Sequence, residues 1–195
     1  MTSSPRWFWI DIETTGLDPE TCVILQVACV VTDAELDVLD QYTSYVRPRL
    51  SDLTDTNSNW IDTAHGTGYG YTPYPNAGLT AKLANLAYTS GDDLRNVERA
   101  MMRVALKHFD VGEVILAGNS VHFDRRFIVR HMPGFAALLH HRMLDVTSLQ
   151  LLADDRQPVL AKMLKEQFPA AHTAVEDINM SIEKLKLMFK NGFIA

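Results

Sequence analysis

The chain is short of cysteine, of long apolar runs and of positive charge, and each shortage removes a class of protein. Only two cysteines, Cys22 and Cys29, occur in 195 residues, which rules out a small disulfide-stapled scaffold. They lie seven residues apart in one apolar run, so on a strand they would face opposite sides and could not bridge. Reduced, buried thiols in a reducing compartment are the expectation. No apolar run approaches the roughly 20 residues that cross a bilayer. The N-terminus also lacks a basic segment leading into an apolar one, so a cytoplasmic location is expected and no membrane partner. The formal net charge is −6, the wrong sign for gripping a long nucleic acid along a basic track. Repeats and low-complexity tracts are missing as well.

What is present is an ordinary globular composition, 47% hydrophobic and 22% charged, of a length that suits one domain, 1–195, with one core. Residues 6–12 read as a first strand. Residues 22–32, apolar and β-branched, read as a second, joined through a turn at 33–36 to a third at 42–47 that Pro48 stops. Residues 50–91 read as a long irregular stretch, with a Gly/Tyr/Pro-rich insertion at about 66–78. Its glycine spacing does not fit a dinucleotide-binding loop. Apolar spacing predicts a helix over 93–109, then a short strand at 114–117 and a helix carrying Asp124. A break at Met132-Pro133-Gly134, a last strand at 142–146 and a final helix over 171–188 complete the reading. Antiparallel strands followed by alternating helices and strands make an α/β class with a central mixed sheet flanked by helices.

Against that background the acids stand out. Asp11 and Glu13, in Ile10-Asp11-Ile12-Glu13-Thr14-Thr15-Gly16-Leu17, follow the apolar run Trp7-Phe8-Trp9-Ile10. Alternation on a strand points both the same way, about 7 Å apart. Two carboxylates there are costly to bury without a cation. Carboxylate oxygens are the hard ligands that Mg²⁺ and Mn²⁺ take. Two such metals can stabilise both the attacking and the leaving oxygen of a phosphodiester. Asp124 and Asp177 extend the set, and His172, five residues before Asp177, has the pKa range of a general base. Two divalent cations would bring the formal charge to about −2. Residues 122–142 hold Arg125, Arg126, Arg130, Arg142 and four histidines against Asp124 as the lone acid, which suits a short substrate. Taken singly, each piece has a plainer reading: an Asp-x-Glu pair is usually a solvated edge, and a His near an Asp on a helix is usually a surface pair. Their joint order is what points to a metal-dependent nuclease.

Asp-Ile-Glu-Thr-Thr-Gly-Leu at 11–17, Gly118-Asn119-Ser120 with Asp124-Arg125-Arg126-Phe127, and His172 with Asp177 closely resemble the three motifs of the DEDDh 3′–5′ exonuclease superfamily. Within it the chain is most similar to the oligoribonucleases. The likeness extends through Val31-Thr32-Asp33-Ala34, Met132-Pro133 and Leu144-Asp145-Val146. The resemblance implies an RNase H-like fold, two divalent cations and a homodimer. It implies release of 5′-mononucleotides from short single-stranded RNA, down to dinucleotides. Asp11, Glu13, Asp124 and Asp177 would bind metal, and His172 would be the base. Leu17 and Trp60 would wedge the bases and His65 would contact phosphate. Asn119, Ser120, His141 and Arg142 fall at further substrate positions. The chain departs from the pattern at His141, where the family has a tyrosine that caps the dinucleotide across the dimer, and at Thr14, where it has methionine. A broader exonuclease acting on DNA or longer RNA, and a non-catalytic oligonucleotide- or protein-binding module, are the rival readings.

Overall fold

A computed structural model describes residues 6–53, 77–168 and 173–193. Five strands, β1 (Trp7–Thr14), β2 (Ile24–Thr32), β3 (Val38–Tyr45), β4 (Val114–Gly118) and β5 (Leu139–Asp145), form one sheet in the order β3-β2-β1-β4-β5. β1 pairs antiparallel with β2, and β2 with β3, whereas β4 runs parallel to β1 and β5 parallel to β4. The helices are α1 (Ala77–Ser90), α2 (Leu94–His108), α3 (His122–His131), α4 (Pro133–Ala136), α5 (Val146–Arg156), α6 (Pro158–Gln167) and α7 (Ala174–Lys190), with a 3₁₀ turn at Leu50–Leu53. This is the mixed sheet flanked by helices that the sequence implies. Among the described residues no helix is long and apolar enough to cross a membrane.

The strand period of two divides the core. Phe8, Ile10 and Ile12 face a cluster with Val97 and Met101 of α2, Phe127 and Ile128 of α3 and Phe135 of α4. Trp9 faces the other way, into a cluster with Leu160 of α6 and Ile178, Ile182 and Met188 of α7. Every residue of β2 is buried, as expected for a strand covered on both faces. The β2–β3 hairpin turns where Asp33 Oδ1 accepts the N–H groups of Glu35 and Asp37, at 3.1 and 2.8 Å.

Several expectations change, among them β5, which begins at Leu139 rather than 142. β1 runs on to Thr14, so both acids lie within the strand, and β3 starts at Val38 rather than 42. Residues 77–90 are a helix, because an Ala/Leu-rich stretch of good helix formers follows the Gly/Tyr/Pro segment. Cys22 precedes β2, and a register shift between Glu13 and Thr14 interrupts the alternation. The two cysteines therefore share one core cluster instead of facing opposite sides, and both are free and buried, as the sequence reading expects. α5 and α6 fill residues that sequence patterning leaves unread, since α5 buries only Val146 and Ala153 and so shows little apolar stripe.

Candidate active site

The site is built at the end of β1. β4 is paired to β1 only at Phe8 and Trp9. Gly118 closes that contact: a Cβ on it would lie 2.8 Å from the Ile10 carbonyl oxygen. Beyond Ile10 the two parallel strands part, leaving the crevice at strand carboxyl ends where open sheets bind ligands. The N–H of Ile12 points into it, and Asp124 Oδ1 accepts that N–H at 3.0 Å. Asp124 comes from the first turn of α3, where the helix end favours an anion, and it is 4% exposed.

Asp11 and Glu13 follow Trp9 on the face that α7 covers. Asp177, in the first turn of α7, meets them there: one ligand oxygen from each of Asp11, Glu13 and Asp177 lies within 4.8 Å of the others. Burial, then the charges of Asp124, Glu13 and Asp177, push the Asp11 carboxyl well above its ordinary range. Burial, with Asp177 second, pushes Glu13 up to about 7. Asp124 is pushed up to about 8 by burial, against the opposing N–H bond from Ile12. Lys184, two turns further along α7, is half-buried and held below its ordinary value by burial, with Asp177 pulling the other way.

A divalent cation fits this arrangement. The donors are all carboxylate oxygens, they converge within coordination reach, and without a cation they repel one another in a desolvated crevice. Among the described residues Asp11, Glu13 and Asp124 have no ion pair to relieve that repulsion.

The substrate positions are more dispersed. Leu17 is 50% exposed on the loop after β1. Asn119 and Ser120 form the turn from β4 into α3, and Asn119 Oδ1 is buried without a hydrogen-bond partner. Ser120 adopts φ 49°. Its N–H donates to Asp145 Oδ1 and Thr147 Oγ1, both at 3.0 Å, and its hydroxyl lies 3.2 Å from Thr147 Oγ1. His141 and Arg142 are exposed on β5 at the sheet edge, and the His140 and His141 rings lie 4.1 Å apart. His172, Trp60 and His65 lie outside the described residues, as does the insertion at 66–78 apart from the two residues that open α1.

The exonuclease family pattern matches residues 8–63 and 81–185. Over 94% of its length the chain is 37% identical to a probable oligoribonuclease of Dictyostelium discoideum, covering 88% of that protein. It is 31% identical to the mitochondrial oligoribonuclease of Mus musculus, over 96% of this chain and 73% of that one. The chain belongs to the exonuclease family. Its relatives are oligoribonucleases of bacteria and eukaryotes.

Exonuclease I from Methylocaldum szegediense has the same fold, with a TM-score of 0.63 at 20% identity over 94% of this chain. This chain spans only 40% of that larger protein. As a family member the chain is a nuclease, and its acid cluster is suited to the divalent-metal chemistry general to exonucleases. The break in the family match, residues 64–80, covers the Gly/Tyr/Pro-rich insertion. Asp145 and Thr147 are site-building residues that sequence reasoning misses. A signal for them exists: Asp145, two before a threonine at a helix start, is an N-cap that accepts the Thr147 N–H at 2.9 Å, and the same carboxylate fastens the Asn119-Ser120 turn.

Proposed function

We propose that this chain is a 3′–5′ exoribonuclease that hydrolyses short single-stranded RNA, down to and including dinucleotides, to 5′-mononucleotides. The observation that carries the reading is the convergence of Asp11, Glu13 and Asp177, one ligand oxygen from each within 4.8 Å of the others, with Asp124 buried against the Ile12 N–H between the two strand acids. Asp11, Glu13, Asp124 and Asp177 would hold two Mg²⁺ or Mn²⁺ ions. Those ions, when bound, supply Lewis-acid stabilisation of the attacking and departing oxygens. His172 takes the proton of the attacking water, and the 3′ oxygen of the preceding nucleotide departs. The anchored β1 and the first turn of α7 hold the carboxylates in place throughout. Leu17 and Trp60 would wedge the terminal bases by apolar contact and stacking. His65, Asn119 and Ser120 would address the phosphate and sugar.

His141 and Arg142 serve this reading best across a homodimer. They are exposed on an edge strand whose outer side is open among the described residues. Leu151, Leu152 and Val159 are exposed too, at 64%, 49% and 77%, which is surface that a second copy could cover. The protein is read as one exonuclease domain over 1–195. The two buried free thiols suit a reducing, cytoplasmic setting, although the Mus musculus relative is mitochondrial.

The test is initial rates on RNA of two, three, five and ten nucleotides, with a DNA dinucleotide beside them and Asp124→Ala as the inactive control. Rates that peak at the RNA dinucleotide are expected. Rates flat or rising with length, or equal on DNA, would replace the reading with a broader exonuclease whose rim His141 has opened. Binding without turnover would leave an oligonucleotide-binding module.

A further inference from the structure

The loop between β1 and β2 carries Leu17, and the far end of α3 reaches over to hold it. At the base of the loop the Thr15 N–H donates to the Val23 carbonyl at 2.9 Å, and the Val23 N–H donates to Thr15 Oγ1 at 3.0 Å. Further out Asp18 turns the chain: its carbonyl accepts the N–H groups of Thr21 and Cys22, and its Oδ1 that of Glu20. His131 and Arg130, the last two residues of α3, then bind the loop from outside. The His131 ring nitrogen Nε2 lies 2.9 Å from the Pro19 carbonyl oxygen. A carbonyl only accepts, so Nε2 is the protonated nitrogen and the donor. The ring is stacked on Phe127, 5.8 Å away and inclined by 21°, and Phe127 is fully buried. Arg130 Nε meets Glu20 Oε2 at 3.0 Å, but both side chains are more than half exposed, so this pair is the weaker half of the clamp.

Open space lies beside the clamp. Arg130 lines two cavities, one of about 600 Å³ with Pro19 and Glu20, the other of about 580 Å³ with His131, Val23 and the side chains of Arg47, Arg49 and Arg95. Leu17 itself is half exposed and gains little hold of its own. The position of the loop therefore depends on a hydrogen bond whose donor is fixed by the core. The two ends of α3 serve one site: Asp124 stands in the first turn, and His131, about 10 Å along the axis, fixes the loop that carries Leu17. The Thr15–Val23 pair separates that loop from Glu13, so loosening the loop leaves the carboxylates in place.

We propose that His131, with Arg130 in support, is a positioning residue for substrate binding, holding residues 15–22 so that Leu17 meets the terminal bases of short RNA. The inference rests on the exoribonuclease reading, which gives Leu17 that contact. The test is a double-mutant cycle between His131→Phe and Leu17→Ala. Phenylalanine keeps the stack on Phe127 and loses the bond to Pro19. KM for an RNA dinucleotide should rise about tenfold, which is about 1.4 kcal/mol and the net worth of one hydrogen bond. Turnover number and Mg²⁺ affinity should stay within about twofold of the wild type, as for a loss of substrate binding alone. His131→Gln, whose side-chain amide donates to the same carbonyl, should restore KM. In the Leu17→Ala background His131→Phe should change nothing further. Amide hydrogen exchange should quicken across 16–22 in His131→Phe and keep its wild-type rate at Glu13.

An unchanged KM, a fall in kcat alone, a KM that His131→Gln leaves high, or effects of His131 and Leu17 that simply add would overturn the proposal. Should His131→Phe fail to fold, by circular dichroism, Arg130→Met takes its place in the cycle, with a smaller rise of about twofold expected. A wild type that hydrolyses no RNA, while His131→Phe still quickens exchange across 16–22, would sink the exoribonuclease reading and the substrate role with it, and leave the clamp as a property of the fold.

Discussion

Glu13→Gln should make the metal-free protein more stable while destroying its activity. Glu13 is held at about 7 against an ordinary 4.5, first by burial and second by Asp177. At about 1.4 kcal/mol per pH unit, that difference makes the ionised form about 3 kcal/mol more costly in the folded chain. Below pH 4.5 the carboxyl is protonated whether the chain is folded or not, and the substitution is close to neutral. Between 4.5 and about 7 the folded chain keeps a proton that the unfolded chain has released, so wild-type stability falls as pH rises. Above about 7 the whole cost is present. In chelator at pH 8, Glu13→Gln should therefore raise Tm by about 6–12 °C, taking about 2–4 °C per kcal/mol for a chain of this size, and at pH 4.5 by almost nothing. Mg²⁺ should reverse the ranking, because the wild type gains binding energy that the variant has lost. Thermal scans at both pH values, with chelator and with Mg²⁺, measure all four cases. A gain equal at the two pH values, or a loss at pH 8, would mean that Glu13 is already satisfied by its surroundings, and the cation argument would fail.

Asp124→Asn keeps an oxygen for the Ile12 N–H, so Tm should change little while hydrolysis falls by more than about 100-fold; paired melting and rate measurements check this. Chelator should abolish hydrolysis and Mg²⁺ restore it, with the Tm gain on adding metal larger at pH 8 than at pH 5, because the ligands must shed protons to bind. Thr147→Val removes one of the two acceptors of the Ser120 N–H, Asp145 keeping the other, and the acceptor of the Ser120 hydroxyl, and should lower unfolding free energy by about 1 kcal/mol in urea titrations. Gly118→Ala places a Cβ 2.8 Å from the Ile10 carbonyl oxygen and should cost about 1–3 kcal/mol, with a loss of rate greater than that of Thr147→Val, since it displaces β1 itself.

How much of this is legible in the sequence differs by residue. Asp11 and Glu13 can be read because a strand has a period of two and the preceding Trp7-Phe8-Trp9-Ile10 announces one. Asp177 can be placed near a helix start. The bond from Ile12 to Asp124 cannot, since it joins residues 112 apart in sequence and depends on where β4 stops pairing with β1. The same holds for the cavity lined by Arg47, Arg49, Arg95 and Arg130, which stand at β3's exit, the α2 start and the α3 end, so that only the topology gathers them. α1 is hidden by its neighbour, because the Gly/Tyr/Pro segment before it suggests that irregularity continues. The two cysteines fall on opposite faces only if β2 is drawn two residues too long.

The geometry also explains why a cluster so unfavourable in isolation persists in the fold. β1 is the sheet's central strand and carries both cores, Phe8, Ile10 and Ile12 to one side and Trp9 to the other. Its apolar contacts hold the strand whether or not Asp11 and Glu13 are neutralised. Asp124 adds the missing hydrogen bond at the point where β4 leaves, so the backbone of the acid-bearing segment is satisfied without metal. The electrostatic cost is thereby confined to side-chain oxygens that face the crevice. A fold arranged in this way stays assembled while its ligands repel one another, and the repulsion it stores is the part that a divalent cation relieves on binding.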